Sequence, residues 1–237
     1  MRILGIIPAR FASSRLPGKP LVDIGGRSMV MRVVDQAARA RSLAAVVVAT
    51  DDARIVEHVQ AHGGAAVLTS ADHPSGTDRC WEALGKAAGG PYDAVVNIQG
   101  DEPFIAPEQI DEVAVALAGA QGGIATLAQV VTDDADLDHP GEVLITTDMH
   151  MNALYFSRAA IPFLRDEAPG PRCARFRYLK HVGLYAFTAE ALRAVVALPP
   201  SPLERAESLE QLRWLENGYR VRVGLTDHPS FCVDTPS

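Results

Sequence analysis

The sequence is poor in several features that mark whole classes of proteins. It has only three cysteines with no Cys-x-x-Cys pair, and its apolar runs stay well below the roughly 18 residues that span a bilayer. Acidic residues outnumber Lys and Arg by 29 to 22 in 237 residues, a formal net charge of −7. We therefore expect no structural zinc site, membrane segment or nucleic-acid partner, and a reduced, cytoplasmic protein.

A short apolar strand followed by a cationic loop is the first strong feature of the chain. Residues 3–7 predict a buried strand, and two prolines and Gly18 predict that residues 8–19 form neither strand nor helix. The loop matches neither Gly-x-x-x-x-Gly-Lys-Ser/Thr nor Gly-x-Gly-x-x-Gly. It does carry hydroxyl side chains and three cations, which are Arg10, Arg15 and Lys19.

Such a loop lies where ligands bind in open α/β sheets, at the carboxyl end of a strand. Arginine binds phosphate through two parallel hydrogen bonds, and lysine acts as a point charge. We therefore interpret residues 8–19 as a polyphosphate site. A solvated basic loop is the alternative, because exposure is the usual state of a single arginine.

The alternation of apolar patterns predicts the fold. Strands are predicted at residues 3–7, 45–49, 65–69 and 93–98, with helices at 29–40, 53–62 and 78–88 between them. Further helices are predicted at 107–118, 189–197 and 203–216, and further strands at 124–131, 142–147, 153–157, 180–187 and 219–224. The βαβαβαβ order predicts a mostly parallel, Rossmann-like α/β sheet flanked by helices. We expect one domain over 1–237 with a substrate-side insertion around 140–187, in which residues 163–177 form a flexible flap.

A second polar cluster follows the fourth predicted strand, in the segment Gln99-Gly100-Asp101-Glu102-Pro103. Gly100 permits a close backbone approach, and Asp101 is expected to meet the cationic loop. Mg²⁺ at phosphate sites is held by one or two carboxylates together with phosphate oxygens. Asp101 and the distant Asp234 are the candidate ligands. Each is also a natural turn residue next to proline, and that interpretation stays open.

Five motifs carry a resemblance to one enzyme family over essentially the whole chain. They are the loop Ile7-Pro8-Ala9-Arg10 to Lys19-Pro20, Gln99 to Pro103, Ala153-Leu154-Tyr155-Phe156-Ser157-Arg158, Pro202-Leu203-Glu204 with Glu210-Gln211-Leu212, and Val233 to Pro236. In order and spacing they resemble the 3-deoxy-manno-octulosonate (Kdo) cytidylyltransferases, or CMP-Kdo synthetases. The resemblance implies the nucleotidyltransferase fold, a homodimer formed around residues 153–158, and the Mg²⁺-dependent reaction of CTP with Kdo to give CMP-Kdo and pyrophosphate for lipopolysaccharide biosynthesis.

The resemblance also implies residue roles. Catalysis is expected of Asp101, Asp234, Lys19 and Arg10, with Asp101 and Asp234 holding the metal. CTP binding is expected of Arg10, Ser13, Arg15, Lys19, Ser75, Gly76, Thr77, Arg79 and Asp101. Sugar binding is expected of Gln99, Arg158, His181, Tyr185, Glu210 and Gln211. An ordinary turn remains the alternative for Ser75-Gly76-Thr77, and a structural role remains the alternative for His181 and Tyr185.

One position departs from the family pattern. Relatives usually read Val-Lys-Val-Val where this chain has Val143-Leu144-Ile145-Thr146, so a cation is missing at Leu144. Arg177 or Lys180 is a candidate replacement. The departure keeps two alternatives open: a cytidylyltransferase for a related acidic or amino-modified sugar, and a non-catalytic nucleotide-binding relative.

Overall fold

The first strand, β1 (Ile3–Ala9), runs through the middle of a nine-stranded sheet in the computed structural model, which describes residues 1–12, 18–165 and 170–230. The other strands are β2 (Leu43–Thr50), β3 (Ala66–Leu68), β4 (Ala94–Asn97), β5 (Ile124–Val130), β6 (Leu144–Thr147), β7 (Ala153–Ser157), β8 (Leu179–Thr188) and β9 (Val221–Leu225). The helices are α1 (Met29–Ala37), α2 (Ala53–Ala61), α3 (Gly76–Lys86), α4 (Pro107–Ala118), α5 (Asp134–Leu137), α6 (Ala189–Val196), α7 (Pro202–Glu207) and α8 (Gln211–Glu216). Two 3₁₀ turns span Lys19–Leu21 and Arg172–Ala174.

The strand order β3-β2-β1-β4-β8-β5-β9 joins a parallel half to a mixed half. Strand β1 pairs in parallel with both β2 and β4, and β2 pairs in parallel with β3. Strand β8 runs antiparallel between β4 and β5, while β6 and β7 form an antiparallel pair attached to β8. The predicted α/β sheet is therefore confirmed, with its antiparallel pairs concentrated in the second half of the chain.

Side chains of β1 alternate between two apolar cores, one on each face of the sheet. Ile3 and Ile7 pack into the core that includes residues of α1, α2 and α4, whereas Leu4 and Ile6 pack into the core that includes residues of α3, α6 and α8. Both faces of a central parallel strand must be apolar when helices cover both sides. This explains why β1 is an almost continuous apolar run.

The prediction that the first strand stops before Pro8 is wrong, because β1 continues to Ala9. Pro8 has no N–H to donate, and a proline inside a sheet normally leaves a neighbouring carbonyl unpaired. Here the pairing of β1 with β4 ends at Ile6 and Asn97, whereas the pairing with β2 continues past Pro8. The position of the missing Pro8 N–H therefore lies beyond the last residue pair between β1 and β4, the strand toward which it would have pointed.

The predicted single helix over residues 203–216 is also wrong, because the structure has two helices there. Ser208 adopts a left-handed conformation (φ 54°), and the N–H of Leu209 donates to the carbonyl of Glu204. No glycine or proline marks this break in the sequence. Its effect is to turn residues 209–211 toward the carboxyl edge of the sheet.

The short helix α5 (Asp134–Leu137) holds part of the excursion that follows β7. The Asp134 carboxylate accepts hydrogen bonds from the backbone N–H groups of Arg172 (2.6 Å) and Cys173 (2.9 Å). These bonds are the main cause of a pKa of about 2 for Asp134. Part of the predicted flap, residues 166–169, lies outside the described residues, and its flexibility stays a prediction.

Candidate functional site

Two adjoining cavities open at the carboxyl ends of β1 and β4. The first, which we call the loop cavity, has a volume of about 460 Å³ and is lined by Pro8, Ala9, Arg10, Ala12, Lys19, Pro20, Pro74, Ser75, Gly76, Gln99, Gly100 and Asp101. Six of the residues predicted to bind nucleotide, sugar or metal from sequence alone are among these. They are Arg10, Lys19, Ser75, Gly76, Gln99 and Asp101.

The cationic loop and the segment after β4 meet through an ion pair. Nζ of Lys19 lies 3.0 Å from Oδ2 of Asp101, and the Asp101 side chain keeps 34% of its surface exposed. The guanidinium of Arg10 donates to the carbonyl of His73 at 2.9 Å, across the cavity mouth. The cavity therefore combines cations suited to phosphate with a carboxylate suited to a hard metal ion.

The ends of the cationic loop are fixed even though its middle is not described. The N–H of Gly18 donates to the carbonyl of Phe11 at 3.0 Å, and Gly18 has the left-handed φ (72°) that glycine adopts without strain. The guanidinium of Arg54 lies 3.5 Å from the centroid of the Phe11 ring. Ser13 and Arg15, both predicted to bind CTP, lie outside the described residues.

Gly100 is required by the close approach of two strand ends. A Cβ atom at this position would lie 2.6 Å from the carbonyl oxygen of Pro8, closer than real Cβ contacts come. The backbone after β4 can therefore touch the backbone of β1 only if residue 100 has no side chain. This contact places Asp101 beside Lys19, as the sequence analysis expected.

Ser75, Gly76 and Thr77 form the start of α3, with Ser75 as the N-cap. Oγ of Ser75 accepts from the N–H of Asp78 at 3.2 Å, and the loop lies against Pro8 at Gly76. The Thr77 hydroxyl is buried and donates to Oε2 of Glu210 at 2.9 Å, while the Ser75 hydroxyl lies 3.0 Å from Oε1 of the same carboxylate. Ser75 and Gly76 therefore line the loop cavity, and Thr77 is held behind it.

Arg79, predicted to bind CTP, does not line the cavity. Its side chain is fully buried beneath the start of α3, where Nη1 donates to the Thr69 hydroxyl (2.6 Å) and Nη2 to Asp51 (3.1 Å). Asp51 follows β2 and Thr69 follows β3. The guanidinium thus joins α3 to two strand ends, which supports residues 75–77 from behind.

The second cavity, which we call the sheet cavity, shares Gln99 and Asp101 with the first. Its volume is about 590 Å³, and its other lining residues are Glu102, Gln129, His139, Gly141, Glu142, Val143, Lys180, His181, Val182, Gly183, Tyr185, Leu209, Gln211 and Ser230. Gln99 is fixed between the two cavities because its Nε2 donates to the carbonyl of Gly183 at 3.0 Å. Four predicted sugar-binding residues therefore line one space, namely Gln99, His181, Tyr185 and Gln211.

Burial keeps two titratable side chains of β8, His181 and Tyr185, neutral. Desolvation lowers the pKa of His181 to about 3 and raises the pKa of Tyr185 well above its usual value. The Thr126 hydroxyl donates to backbone carbonyls of β8, so it accepts from Nε2–H of His181 (3.0 Å) and leaves Nδ1 as an acceptor. The Tyr185 hydroxyl is buried with no hydrogen-bond partner among the described residues. Such an orphaned donor suits a ligand rich in hydroxyls.

The remaining predicted sugar-binding residues do not line the sheet cavity. The backbone N–H of Arg158 and its Nε bond to Glu207 at 3.0 and 2.9 Å, which holds the exposed Arg158 against the end of α7. Glu210 faces α3 through its bonds to Ser75 and Thr77, and burial raises its pKa. Asp234, predicted to hold the metal with Asp101, lies outside the described residues.

The missing cation at Leu144 has a structural explanation. Leu144 is buried in a small apolar cluster with Val131, Leu137 and Tyr178, away from the sheet cavity. Its cross-strand neighbour on β8 is Lys180, which does line the cavity and lies 3.3 Å from Glu142 and 3.4 Å from Asp136. A cation is therefore present at this end of the cavity, on β8 instead of β6.

Sequence reasoning missed several residues of the sheet cavity. Gln129 lines the cavity and Thr126 holds His181, which lines it. Both are polar residues inside the apolar strand β5, and this interruption was a signal that could have singled them out. Leu209 reaches the cavity only because of the break at Ser208, and Ser230 because it donates to the buried Glu102 at 2.8 Å. Neither of these contacts has a local sequence signal.

A family model described as Cytidylyltransferase matches residues 4–222 of the chain. The chain is 49% identical to the 3-deoxy-manno-octulosonate cytidylyltransferase of Bacteroides thetaiotaomicron, covering all of this chain and 94% of that protein. It is 48% identical to the protein of the same name from Syntrophobacter fumaroxidans, with coverage of 100% and 93%.

The solved structures show the same relationship. A CMP:2-keto-3-deoxy-manno-octonic acid synthetase complexed with CTP matches all of this chain and 94% of its own, with 40% identity and a TM-score of 0.91. A 4-diphosphocytidyl-2C-methyl-D-erythritol synthase from Anaerococcus prevotii matches with 16% identity and a TM-score of 0.61, which shows a shared fold only.

Proposed function

The chain belongs to the cytidylyltransferase family, and we propose that it transfers CMP from CTP to Kdo, releasing pyrophosphate and supplying CMP-Kdo for lipopolysaccharide biosynthesis. One observation carries the assignment of substrates to the site. The loop cavity, lined by cations at strand ends, adjoins the sheet cavity, where the buried neutral His181 and Tyr185 lie with the ion-paired Lys180, and Gln99 and Asp101 are common to both. A nucleotide triphosphate and a hydroxyl-rich acid bound side by side would meet at these two residues.

The reaction follows from that arrangement. A hydroxyl of the sugar attacks the α-phosphorus of CTP, the bond to the β-phosphate oxygen breaks, and pyrophosphate leaves with the negative charge while the hydroxyl proton is lost. Phosphoryl-type transfers require mainly positioning and charge neutralisation from the protein. Arg10 and Lys19 are placed to hold the phosphates, and the backbone around Ser75 and Gly76 is placed to contact the base. Gln99 orients the sugar at the junction.

Mg²⁺ is the proposed cofactor, and Asp101 fits it. Mg²⁺ keeps several waters and binds through one or two carboxylates plus phosphate oxygens, so it needs no dedicated cage. Asp101 would hold the ion, with Asp234 as the proposed second carboxylate. When bound, Mg²⁺ neutralises phosphate charge and polarises the α-phosphate.

The sugar end of the site supports an acidic substrate. Lys180 supplies a cation at one end of the sheet cavity, and the orphaned hydroxyl of Tyr185 and the acceptor nitrogen of His181 supply hydrogen-bonding groups. The apolar Leu144 on β6, with Lys180 as its cross-strand neighbour on β8, favours a second candidate within the same activity, a related acidic sugar. A pyrophosphate-release assay with CTP and a panel of sugar acids tests both. Fastest turnover with Kdo supports the proposal, and turnover with another acid alone supports the second candidate.

We also propose that the enzyme acts as a cytoplasmic homodimer. Neither cysteine of the described part of the chain, Cys80 or Cys173, is in a disulfide, and none of the described helices is both long and apolar enough to cross a bilayer. Leu154 on β7 leaves 61% of its surface exposed, which suits burial against a second copy. Sedimentation velocity tests the assembly: the wild type is expected as a dimer, and Leu154→Glu is expected to weaken it.

A further inference from the structure

Glu210 occupies a position between the two cavities that sugar binding alone does not explain. The residues on either side of it in sequence, Leu209 and Gln211, both line the sheet cavity. Its own carboxylate instead bonds to Ser75 at 3.0 Å and Thr77 at 2.9 Å, at the start of α3. Ser75 in turn lines the loop cavity. Leu209 and Gln211 thus line the sheet cavity, while Glu210 between them holds residues at the edge of the loop cavity.

The carboxylate has few other ways to be stabilised. Arg213, the nearest cation along α8, is bound to both oxygens of Glu204 at 2.5 and 2.8 Å. Burial is the largest influence on the pKa of Glu210 and raises it, while the two hydroxyls lower it. Placing a carboxylate in such surroundings is costly unless its hydrogen bonds are retained. A role in packing alone would be met at lower cost by an apolar side chain.

We propose that Glu210 is a positioning residue that fixes the Ser75–Thr77 loop for nucleotide binding and couples that loop to the wall of the sheet cavity. The inference rests on the proposed function, because it concerns how the same two substrates are brought together. The carboxylate accepts from the Thr77 hydroxyl and lies 3.0 Å from the Ser75 hydroxyl, whose proton it shares with Oδ2 of Asp78 at 2.5 Å, so the N-cap of α3 keeps one orientation. The break at Ser208 is what allows residue 210 to reach α3 while residues 209 and 211 face the other cavity.

The test compares Glu210→Gln, Thr77→Val and the double variant by calorimetric binding of CTP in the absence of sugar. An amide cannot accept from both hydroxyls as a carboxylate does, and valine keeps the shape of threonine without its donor. We expect each single variant to raise the Kd for CTP by about tenfold, the order expected for one hydrogen bond to a charged group. The double variant is expected to be no weaker than about the worse single variant, because both changes remove one shared interaction.

Glu216→Gln is the matched control. Glu216 lies at the far end of the same helix, α8, where its carboxylate accepts from the backbone N–H of Leu203 at 3.0 Å. Its substitution is expected to leave the Kd for CTP unchanged. Circular dichroism and urea unfolding on every variant separate a loss of nucleotide affinity from a loss of fold.

Three outcomes are distinguishable. A wild type that does not bind CTP overturns the proposed function and this inference together. A wild type that binds CTP, with additive effects or unchanged Kd in folded variants, overturns the inference alone. If Glu210 contacts only the sugar, Glu210→Gln raises the KM for the sugar acid and leaves the Kd for CTP as in the wild type, and Thr77→Val changes neither. That pattern also overturns the inference.

Discussion

The loop cavity is bounded by backbone and charged side chains at the ends of parallel strands, whereas the sheet cavity is bounded by side chains on the antiparallel strand β8 and on residues 209–211. In the first, Lys19 and Asp101 form an ion pair at 3.0 Å, and the Asp101 side chain keeps 34% of its surface exposed. In the second, burial keeps His181 and Tyr185 neutral. The comparison shows how one sheet provides a compartment of backbone and charged side chains suited to phosphates, beside one in which neutral imidazole and hydroxyl groups and the ion-paired Lys180 suit a sugar acid. Changes to either cavity, or to the segment Gln99 to Asp101 that both share, should therefore have different effects.

The largest effect is expected at Asp101, which lines both cavities. Asp101→Asn is expected to lower kcat by about a thousandfold or more. The substitution removes one negative charge with little change of shape, so the hard anionic ligand for Mg²⁺ is lost at the transferred phosphate. The measurement is kcat across a Mg²⁺ titration. Asp234→Asn, outside the described residues, is expected to act in the same way.

Asp35→Asn is the control for Asp101→Asn, because it removes a carboxylate from a surface ion pair with Arg27 at 2.8 Å. Its kcat is expected to match the wild type. Asparagine favours the same turns as aspartate, so a turn-forming role for Asp101 predicts normal activity in Asp101→Asn. Normal activity in a folded protein at ordinary Mg²⁺ would remove Asp101 from the metal site.

The backbone contact that joins the cavities is tested by Gly100→Ala. The added Cβ would meet the carbonyl oxygen of Pro8 at 2.6 Å, so the segment carrying Asp101 must shift. We expect a loss of about 1–3 kcal/mol in the free energy of unfolding, together with a fall in kcat. Gly85→Ala is the control, since nothing lies within 4 Å of its Cβ position on α3. There, alanine is expected to stabilise the helix by about 0.5–1 kcal/mol. Equal stability of the two variants would contradict the close-approach argument.

The loop cavity by itself is tested by the choice of base. We expect CTP to exceed ATP and GTP by at least about tenfold in kcat/KM, because base-edge hydrogen bonds made or lost at Ser75 and Gly76 are worth about 1–3 kcal/mol. The measurement is pyrophosphate release with each nucleotide at saturating sugar acid. Comparable rates with ATP would show that this loop does not contact the base edge.

The neutral state of the buried His181 is tested by measuring the free energy of unfolding as a function of pH. Between pH 6.5 and about 3 the unfolded chain binds a proton on His181 that the folded chain does not, because the folded pKa is lowered from 6.5 to about 3. The free energy of unfolding therefore falls as pH drops below 6.5, by up to about 1.4 kcal/mol per pH unit from this group. His181→Gln keeps a donor for Thr126 and removes that titration. Urea unfolding at pH 7, 6 and 5 should show a shallower fall in the variant, and parallel curves would mean that His181 titrates normally.

The sequence predicted the loop cavity better than the sheet cavity, for a physical reason. Arg10, Lys19, Gly100 and Asp101 belong to short segments directly after strands, and parallel strand ends converge at one edge of a sheet. Their local patterns therefore carry most of the geometry. Arg79 is the exception. Its place in a helix gave no sign that Asp51 and Thr69 would bury its guanidinium.

The sheet cavity depends on features that are not local. The left-handed Ser208 splits a predicted helix without a glycine or proline, and the pairing of β8 with both β4 and β5 brings together residues from distant parts of the chain. His181 and Tyr185 were recognised only through resemblance, because an isolated polar residue in an apolar strand has many structural explanations. The orientation of Glu210 toward α3, away from the sheet cavity, has no signal in the sequence and follows from its bonds to Ser75 and Thr77.

The late position of β8 in the chain also sets the order in which the protein can assemble. The bond from Gln99 to Gly183 spans 84 residues, and the bond from Ser75 to Glu210 spans 135. At about 5–20 residues per second on the ribosome, β4 and β5 wait on the order of ten seconds for the strand that joins them. The parallel half can form by itself during that interval, with the apolar edge of β4 uncovered. A chain released before residue 179 would thus keep much of its folded sheet, expose an edge prone to aggregation, and have no place for the second substrate.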